Sequence, residues 1–418
     1  MTQGQEQSVR RRRVFYIPGY DPIHPRRYRE LYRKEAARQA EISGYEVALK
    51  GRQGTARYGW EVVGRIEGHE TRAEIEVLVW SDIVRASMEK NIARTYWQLV
   101  RTAWTYIASG TLGRLMRLRK GPVIAALYPI GMLLGQLALA LAAGWGAGAA
   151  LRWGLGALGL SGLWPVVGFW LGLGATVALV LRWFRRIDNR LYAYYLMHDY
   201  AYSAATRGAN PPELEARMAE FADAIAGALA QGDGGDVDEV LVVGHSSGAH
   251  IAVSVLADLI RAGRVPAGGP ALGFVSLGQV VPMVSFLPEA YRLRADLAFL
   301  STREELFWLD VTAPGDGCAF ALCDPVAVSG VAPAQGKRWP IVISAAFSRT
   351  LSPERWRALR WRFFRLHFQY LCAFDRPGDY DYFRITAGPR TLAERFHGRA
   401  PSQSRIEAPT SRHVSVAP

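Results

Sequence analysis

The chain has 418 residues, of which 50% are hydrophobic, and it carries a formal net charge of +13. This length suits one large α/β domain with insertions, or about two or three average domains. The 3 cysteines are too few, and odd in number, for a disulfide framework, which argues against a disulfide-rich secreted scaffold and favours a reducing compartment. Basic residues cluster at Arg10–Arg13 and beside two apolar runs, so the charge fits anionic lipid headgroups better than nucleic acid, for which the sequence has no motif.

Residues 1–83 are interpreted as the first part of an α/β domain. Val14–Pro18 is a short run of β-formers that ends at Gly19, and a helical pattern follows at Pro25–Ile42. Three further strands are predicted before the chain changes character. They are Tyr45–Leu49, Trp60–Ile66 and Ala73–Trp80.

Residues 84–120 place apolar residues at roughly helical spacing among basic and aromatic ones. Trp97, Trp104 and Tyr106 belong to the residue types favoured at a membrane interface. The pattern predicts an amphipathic connector that lies along a bilayer surface, or alternatively a cap over the core of the α/β domain.

Residues 121–182 contain two long runs without a charged residue, Gly121–Leu151 and Trp153–Leu181, with only Arg152 between them. A helix needs about 20 apolar residues to cross a bilayer core, whereas apolar runs of about 10 to 14 residues are typical of buried helices. The pattern therefore predicts a transmembrane helical hairpin, and the alternative is a pair of helices buried in a soluble protein. The predicted spans are Pro122–Gly144 and Ala157–Arg182.

Basic residues flank the hairpin before the first span and after the second, while the short connection carries Arg152 alone. By the positive-inside rule, both flanks face the cytoplasm and the tip of the hairpin faces outward. The sequence thus predicts an integral protein of the inner (cytoplasmic) membrane whose other segments share the cytoplasmic side. The flanking residues are Arg114, Arg117, Arg119, Lys120, Arg182, Arg185, Arg186 and Arg190.

Residues 183–398 are interpreted as the second part of the α/β domain. An amphipathic helix is predicted at Pro212–Ala230, and strands alternate with helices from there on, which indicates a mostly parallel sheet flanked by helices. Residues 399–418 contain several Pro and Ser residues and are predicted to form a disordered tail. The predicted strands are Val240–Val243, 271–277, 306–313 and 340–347.

The clearest chemical signal is the stretch VLVVGHSSGAH, at Val240–His250. Its Gly-x-Ser-x-Gly sequence follows an apolar strand and opens a helical pattern, which is the context of a nucleophile elbow. Gly244 and Gly248 leave room for a sharp turn from which Ser246 projects. The structural alternative is that Ser246 only caps the following helix.

With this motif, the early YIPGYDP, and acids and a histidine in the order Ser, Asp, His, the chain resembles the α/β-hydrolase superfamily. The resemblance covers Val14–Trp80 and Leu191–Phe396 and leaves out the hairpin. It implies that Ser246 attacks a carbonyl and forms an acyl-enzyme that water then cleaves. It also implies that the backbone N–H groups of Tyr20 and Ser247 form the oxyanion hole, although PG at residues 18–19 is also an ordinary turn sequence.

A serine nucleophile needs a base that takes its proton. His367 follows the last predicted strand among aromatic residues and is the candidate, although its distance from that strand is long for such a loop, and His397 is the alternative. His245 and His250 are expected to be packing residues, and His24 is expected to line the site beside YIPGYDP.

A carboxylate must orient this base and stabilise its protonated form. The resemblance favours Asp316, because the family places its acid in the loop after the strand that corresponds to residues 306–313. Asp310, within that strand, is the alternative, and Asp324 before Pro325 is also compatible with the start of a turn.

The sequence therefore predicts a membrane-bound serine hydrolase that cleaves a carboxylic ester, such as a lipidic ester or an acyl thioester. Its expected partners are the lipid bilayer and the acyl ester substrate, with no nucleic acid, no cofactor and no metal. The alternatives are a non-catalytic membrane scaffold that binds a partner protein, and a soluble domain that packs the hairpin as a lid.

Overall fold

The structure is a computed structural model that describes residues 8–51, 57–88, 91–230 and 237–418. Residues 1–7 of the predicted first part and residues 89–90 of the predicted connector lie outside the described residues. The described chain contains an eight-stranded sheet. Its strands are β1 (Arg11–Ile17), β2 (Glu46–Gly51), β3 (Gly59–Ile66), β4 (His69–Val77), β5 (Glu239–His245), β6 (Ala271–Leu277), β7 (Phe307–Thr312) and β8 (Ile341–Ser344).

The strands follow the order β2-β3-β4-β1-β5-β6-β7-β8 across the sheet. From β4 to β8 all neighbours are parallel, whereas β3 is antiparallel to both β2 and β4. Every residue of β5 is buried, as expected for a central strand of a parallel sheet that is covered on both faces. Each strand overlaps a run predicted from the sequence, so the prediction of an α/β protein with a mostly parallel sheet flanked by helices is confirmed.

Helices occupy the connections between the strands and follow the last strand. They are α1 (Arg26–Ser43), α2 (Ser81–Ser87), α3 (Ile92–Ala108), α4 (Thr111–Leu118), α5 (Lys120–Ala157), α6 (Leu163–Arg186), α7 (Asp188–Leu191), α8 (Ala193–Ala205), α9 (Pro212–Ala230), α10 (Gly248–Arg261), α11 (Val281–Ser285), α12 (Tyr291–Leu300), α13 (Pro325–Val328), α14 (Phe347–Thr350), α15 (Pro353–Leu359), α16 (Phe363–His367), α17 (Tyr382–Ala387) and α18 (Leu392–Arg395), with a short 3-10 helix at Gln369–Leu371.

β1 comes first in the chain but lies in the middle of the sheet, between β4 and β5. The connection that leaves β1 leads to β2 at one edge, and the connection that leaves β5 leads through α10 to β6 on the other side. Adjacent parallel strands whose connections leave in opposite directions open a crevice at their carboxyl ends, where open α/β sheets bind ligands. Tyr20 and Ser246 follow these two strands.

The chain folds into two compact units, and the eight-stranded sheet belongs entirely to the first. The boundaries differ from the predicted ones, because the connector 84–120 is divided between the units and the second unit extends beyond the predicted hairpin. The first unit comprises Met1–Arg85, Ile107–Pro122 and Thr206–Pro418, and the second comprises Ala86–Tyr106 and Val123–Ala205.

The helices α5 and α6 are both long and apolar enough to cross a membrane. α5 has 38 residues, which corresponds to a length of about 57 Å at 1.5 Å per residue. The predicted start of the second span at Ala157 is wrong, as is the placement of Arg152 in the connection. The turn lies at residues 158–162, where Gly159 and Gly162 have φ angles of 79° and 71°. The helix α5 continues to Ala157, just before the glycines of the turn, so Arg152 lies within the helix and not in the connection.

The apolar side chains of α5 and α6 are mostly exposed. Only 28% of the most apolar window of α5, and 11% of that of α6, is buried in the described chain. Trp145, Trp153, Leu163 and Leu171 are among the large apolar side chains that remain uncovered. A pair of core helices in a soluble protein would have this surface buried.

Residues 399–418 are ordered against the first unit, contrary to the disorder expected from their composition. The Ile406 N–H donates to Leu322 O at 2.7 Å, and the Asp324 N–H donates to Ile406 O at 2.9 Å. The Arg294 guanidinium donates to Ser415 O at 2.5 Å. Pro and Ser residues occur here in an irregular segment whose backbone is hydrogen bonded to the rest of the unit. Composition does not predict long-range hydrogen bonds of this kind.

Gly64 in β3 offers a test of how closely α17 packs on the sheet. A Cβ at position 64 would lie 2.3 Å from Ala387 O, so Gly64→Ala must displace α17, and we expect the free energy of unfolding to fall by about 1–3 kcal/mol. The thermal midpoint in detergent measures this loss. Gly227→Ala in α9 is the matched control, because no heavy atom lies within 4 Å of its Cβ position and alanine favours a helix. Equal midpoints for the two variants would contradict the packing described.

Candidate active site

Ser246 occupies a sharp turn between β5, which ends at His245, and α10, which begins at Gly248. Its φ angle is 57°, a left-handed conformation that residues with a side chain rarely adopt and that often marks functional sites. The Ser246 N–H donates to Leu277 O at the end of β6 at 2.9 Å. The side chain is partly exposed, so the hydroxyl is open to a ligand.

At the two glycine positions of the motif there is no room for a side chain. A Cβ at Gly248 would lie 2.1 Å from Ile17 O, and a Cβ at Gly244 would lie 2.7 Å from Ala249 Cα. The Gly-x-Ser-x-Gly sequence thus allows the start of α10 to contact the end of β1. This is the geometric requirement of a nucleophile elbow.

The loop after β1 passes directly over Ser246. A Cβ at Gly19 would lie 2.9 Å from Ser246 Cβ, and Trp80 Nε1 holds the loop by donating to Pro18 O at 2.9 Å. Tyr20 follows Gly19 and is buried with its ring against Trp80. The structure therefore places the Tyr20 backbone in the loop beside the serine.

Ser247 is the N-cap residue of α10, and its side chain makes no capping hydrogen bond. The first N–H groups of a helix have no partner within the helix, and the helix dipole favours negative charge at this end. The backbone at Ser247 is therefore suited to stabilise an oxyanion next to Ser246.

His367 and Asp316 form a buried pair. His367 Nδ1 lies 2.7 Å from Asp316 Oδ2, although they are 51 residues apart in the chain. The second carboxylate oxygen accepts the Cys318 N–H at 2.9 Å. The Tyr370 hydroxyl donates to Asp316 Oδ2 at 3.0 Å, so the carboxylate is held by three donors.

Burial alone would raise the pKa of Asp316, but the facing His367 ring and the hydrogen bonds to the carboxylate outweigh it and hold this pKa below its ordinary value. Asp316 is therefore ionised near neutral pH, and His367 Nδ1–H donates to it. The other ring nitrogen, Nε2, is left as the one that can accept a proton.

The His367 ring and Ser246 both lie at the carboxyl end of β6. The ring carbon Cε1 lies 3.1 Å from the Cβ position of Gly278, which follows Leu277, the residue that accepts the Ser246 N–H. In the described chain the Ser246 hydroxyl and the His367 ring make no hydrogen bond with each other. Catalytic hydrogen bonds are often long without substrate and shorten when it binds.

Sequence reasoning missed several residues that position this pair. Tyr370 connects it to β7, because its hydroxyl accepts the Ala313 N–H at 3.0 Å while donating to Asp316. His245 was expected to pack, and it packs on His367, with ring centroids 4.9 Å apart and Nε2 3.0 Å from His367 O. Burial lowers the pKa of His245 to about 3, so its ring stays neutral.

Asp21 is a further residue that sequence reasoning did not single out, although it lies in the quoted YIPGYDP. Its carboxylate accepts the Ile23 N–H at 2.9 Å and pairs with Arg27 at 3.0 Å. It also accepts a hydrogen bond from the Tyr28 hydroxyl. These contacts fix the loop that presents Tyr20.

The alternative acids lie elsewhere in the first unit. Asp310 is fully buried in β7 and accepts a hydrogen bond from the Ser276 hydroxyl at 2.5 Å. Asp324 caps α13 and pairs with Lys337 at 2.6 Å. Neither contacts His367.

The other histidines singled out from the sequence do not pair with Asp316 in the described chain. His397 is exposed after α18. His24 is exposed, and its Nδ1 accepts the Arg26 N–H at 3.2 Å. His250 lies on α10 with its pKa lowered to about 4 by burial, as expected of a packing residue.

Asp316, Cys318 and His367 are a group in the described chain that could hold a metal ion, with ligand atoms within 4.8 Å of one another. The Asp316 carboxylate, however, already accepts hydrogen bonds on both oxygens, one of them from the His367 ring. The pairing of the carboxylate with the imidazole is also the arrangement of an acid that orients a base.

Asp310 gives a pH-dependent stability that can be measured. Burial raises its pKa to about 8, with Asp324 adding to the effect, whereas the unfolded carboxyl titrates near about 3.9. Between these values only the folded chain keeps the proton, so its stabilising effect is full below about pH 4 and is lost as the pH rises to about 8.

We therefore expect Asp310→Asn, which cannot ionise, to gain a few kcal/mol of stability relative to the native chain between about pH 5 and about pH 8. Thermal unfolding of both proteins across this range measures the difference. Glu61→Gln, at an exposed carboxylate of β3, is the control and should follow the native chain. A stability difference for Asp310→Asn that stays constant with pH would show that Asp310 does not remain protonated.

Known proteins offer no direct guide to this site. No protein-family model, curated protein or solved structure matches the chain.

Proposed function

We propose that this protein is a membrane-bound serine hydrolase of the α/β-hydrolase type that cleaves a carboxylic ester. The observation that carries the proposal is the left-handed Ser246 at the end of β5, beside the buried pair of His367 and Asp316. A serine that only capped α10 would not need a left-handed backbone conformation, and the N-cap position of α10 is occupied by Ser247.

The reaction follows from the protonation states. Ser246 Oγ attacks the ester carbonyl carbon while His367 Nε2 takes the hydroxyl proton, and ionised Asp316 stabilises the imidazolium that forms. The tetrahedral intermediate then collapses, and the leaving alcohol or thiol takes the proton from His367. Water repeats these steps on the acyl-enzyme and releases the acid.

The backbone N–H groups of Tyr20 and Ser247 would stabilise the oxyanion of the tetrahedral intermediate. Both residues are beside Ser246, one in the loop over it and the other at the start of α10. Loss of one such donor typically lowers kcat by about 10²–10³.

The order of the site elements supports the resemblance to α/β-hydrolases. The elbow follows β5, the acid lies in the loop after β7, and the base follows β8. The loop with Tyr20 follows β1, which pairs with β5. A strand-turn-helix context for the serine, together with an acid and a base at the same edge of a parallel sheet, favours this family over a chance Gly-x-Ser-x-Gly sequence.

The membrane part of the proposal is supported by α5 and α6, which are long, apolar and mostly exposed. The basic residues on both flanks favour a cytoplasmic position for the sheet unit, at the inner membrane. A hydrolase held at a bilayer meets lipid-soluble substrates at high local concentration, so we propose a lipidic ester or an acyl thioester as substrate.

Labelling with a fluorophosphonate tests the chemistry. We expect the detergent-solubilised native protein to be labelled and Ser246→Ala not to react at all, because the probe bonds to an activated serine. Asp316→Asn should slow labelling by roughly 10²–10⁴, since the ring is then held in the wrong tautomer. Ser404→Ala removes an exposed serine far along the chain and serves as the matched control, which should label like the native protein.

Failure of the folded native protein to label would favour the alternative, a non-catalytic scaffold with a hydrolase-like fold. Labelling that persists in Ser246→Ala would show that the nucleophile is another residue. Hydrolysis of acyl esters and thioesters of graded chain length, with Ser246→Ala as the blank, then identifies the substrate class.

Carbonate extraction tests the membrane part separately. We expect the chain to stay with isolated membranes at alkaline pH, because two apolar helices inserted in the bilayer are not released when ionic contacts are broken. A chain without α5 and α6 in the bilayer would appear in the supernatant, which would favour the alternative of a soluble domain with the helices as a lid. This outcome would leave the serine chemistry untouched.

A further inference from the structure

Residues 353–366 lie between β8 and the candidate base, and we call them the basic-aromatic segment. They contain α15 and most of α16. After Glu354 the sequence RWRALRWRFFRL has five arginines and four aromatic residues and no acidic residue. Exposed aromatic residues concentrated in a short segment indicate an interaction site.

One aromatic side chain at the turn between α15 and α16 faces solvent, and a second is partly exposed. Trp361 is 72% exposed and Phe363 is 43% exposed. The Arg360 guanidinium lies over the Trp361 ring, 5.5 Å from its centroid. An exposed indole beside an exposed arginine is the combination that settles at the headgroup level of a membrane.

The arginines of the turn are not neutralised by the protein. Arg355, closer to the sheet, pairs with Asp375 at 3.0 Å and faces Glu35. Three later arginines are exposed and form no ion pair with any residue in the described ranges. They are Arg360, Arg362 and Arg365.

The inner side of the segment packs on the loop that carries the candidate acid. Trp356 lies 2.5 Å from the Cβ position of Gly315, and Phe363 lies 3.0 Å from that of Gly317. These two glycines flank Asp316. The segment therefore covers the Asp316 loop and leads directly into His367.

The same loop contacts the residues that lead into the first apolar helix. The Cβ position of Gly121 lies 3.5 Å from Gly317 Cα, and Arg119 Nε donates to Ala321 O at 2.8 Å. All of these residues belong to the first compact unit. If α5 enters the bilayer just after Lys120, the Asp316 loop lies at the level of the membrane surface.

We propose that the basic-aromatic segment docks on an anionic lipid surface. Trp361 and Phe363 insert among the headgroups, and Arg360, Arg362 and Arg365 bind lipid phosphates. The proposal rests on the membrane part of the proposed function and not on its hydrolase chemistry. It specifies which face of the sheet unit meets the bilayer, namely the face that bears the acid and base.

Basic and aromatic residues also bind single-stranded nucleic acid, in which bases stack on aromatic rings. The Asp316 loop contacts the residues that lead into α5, the helix that we propose to enter the membrane. The basic-aromatic segment packs on the same loop, which favours lipid as its partner. The two partners are separated by the experiment.

The full chain with Trp361→Cys is labelled with an environment-sensitive NBD fluorophore and reconstituted in vesicles of phosphatidylcholine, with or without phosphatidylglycerol. We expect the emission to shift to shorter wavelength, and quenching by iodide to fall, when phosphatidylglycerol is present. Added salt should reverse the shift, because it screens the arginines. The parent chain, labelled in parallel, corrects for reaction at Cys318 and Cys372.

Two variants complete the design. Ala48→Cys places the fluorophore at an exposed position of β2, at the far edge of the sheet, and its emission should not respond to lipid charge. Replacement of Arg360, Arg362 and Arg365 by glutamine in the Trp361→Cys chain should abolish the shift. An unchanged thermal midpoint in detergent verifies that this variant is folded.

An emission at position 361 that does not respond to phosphatidylglycerol overturns the proposal, even if carbonate extraction shows the chain to be integral. A shift with a single-stranded oligonucleotide but not with anionic vesicles also overturns it and assigns the segment to nucleic acid. A shift that survives the glutamine replacements overturns the role of the arginines. Failure of the hydrolase proposal appears in labelling of Ser246 and failure of the membrane anchor in carbonate extraction. An integral chain whose position 361 does not respond to lipid charge is a failure of the docking proposal alone.

Discussion

At the carboxyl ends of β1 and β5 the backbones approach so closely that no side chain fits between them. Gly248 faces the Ile17 carbonyl oxygen, and Gly19 lies over Ser246. The chain must therefore leave β5 through a left-handed residue before α10 can begin, and this turns the Ser246 hydroxyl into the crevice. Such backbone strain persists only where the surroundings fix it. Here the buried β5 and α10 and the bond to Leu277 O supply that support.

The same sheet gives two buried carboxyl groups opposite properties. Asp310 and Asp316 are both removed from water near the end of β7, and burial by itself raises the pKa of each. Asp316 meets an imidazole and two further donors and stays ionised, whereas Asp310 has a single hydroxyl donor and keeps its proton. Six positions in the chain thus separate a carboxylate that faces an imidazole ring from a carboxyl group whose pKa is raised by burial.

The sequence was sufficient for the strands, because β5 and β6 are runs of mostly apolar residues in a sheet with two covered faces, whereas β3 and β4 alternate buried and exposed residues. The Gly-x-Ser-x-Gly pattern pointed to Ser246. The resemblance pointed to Asp316 and His367 ahead of Asp310 and His397, and Asp316 and His367 lie in contact in the structure. Tyr370 and His245 could not be assigned to the site in this way, because their roles depend on contacts across 54 and 122 residues of chain. The same holds for residues 399–418, whose order comes from long-range backbone bonds, and for Arg152, whose place depended on where the helix ends.

The apolar helices are inserted between β4 and β5, where a long insertion has a small cost in loop-closure entropy. They belong to the connection from β4 to β5, which runs from residue 78 to residue 238. β1 separates these two strands in the sheet, so their connection already had to pass over it. The entropy of closing a loop grows only logarithmically, by about 0.6 kcal/mol for each doubling of length. A long insertion here leaves the register of β1 with both neighbours intact, and with it the close approach that sets the conformation of Ser246.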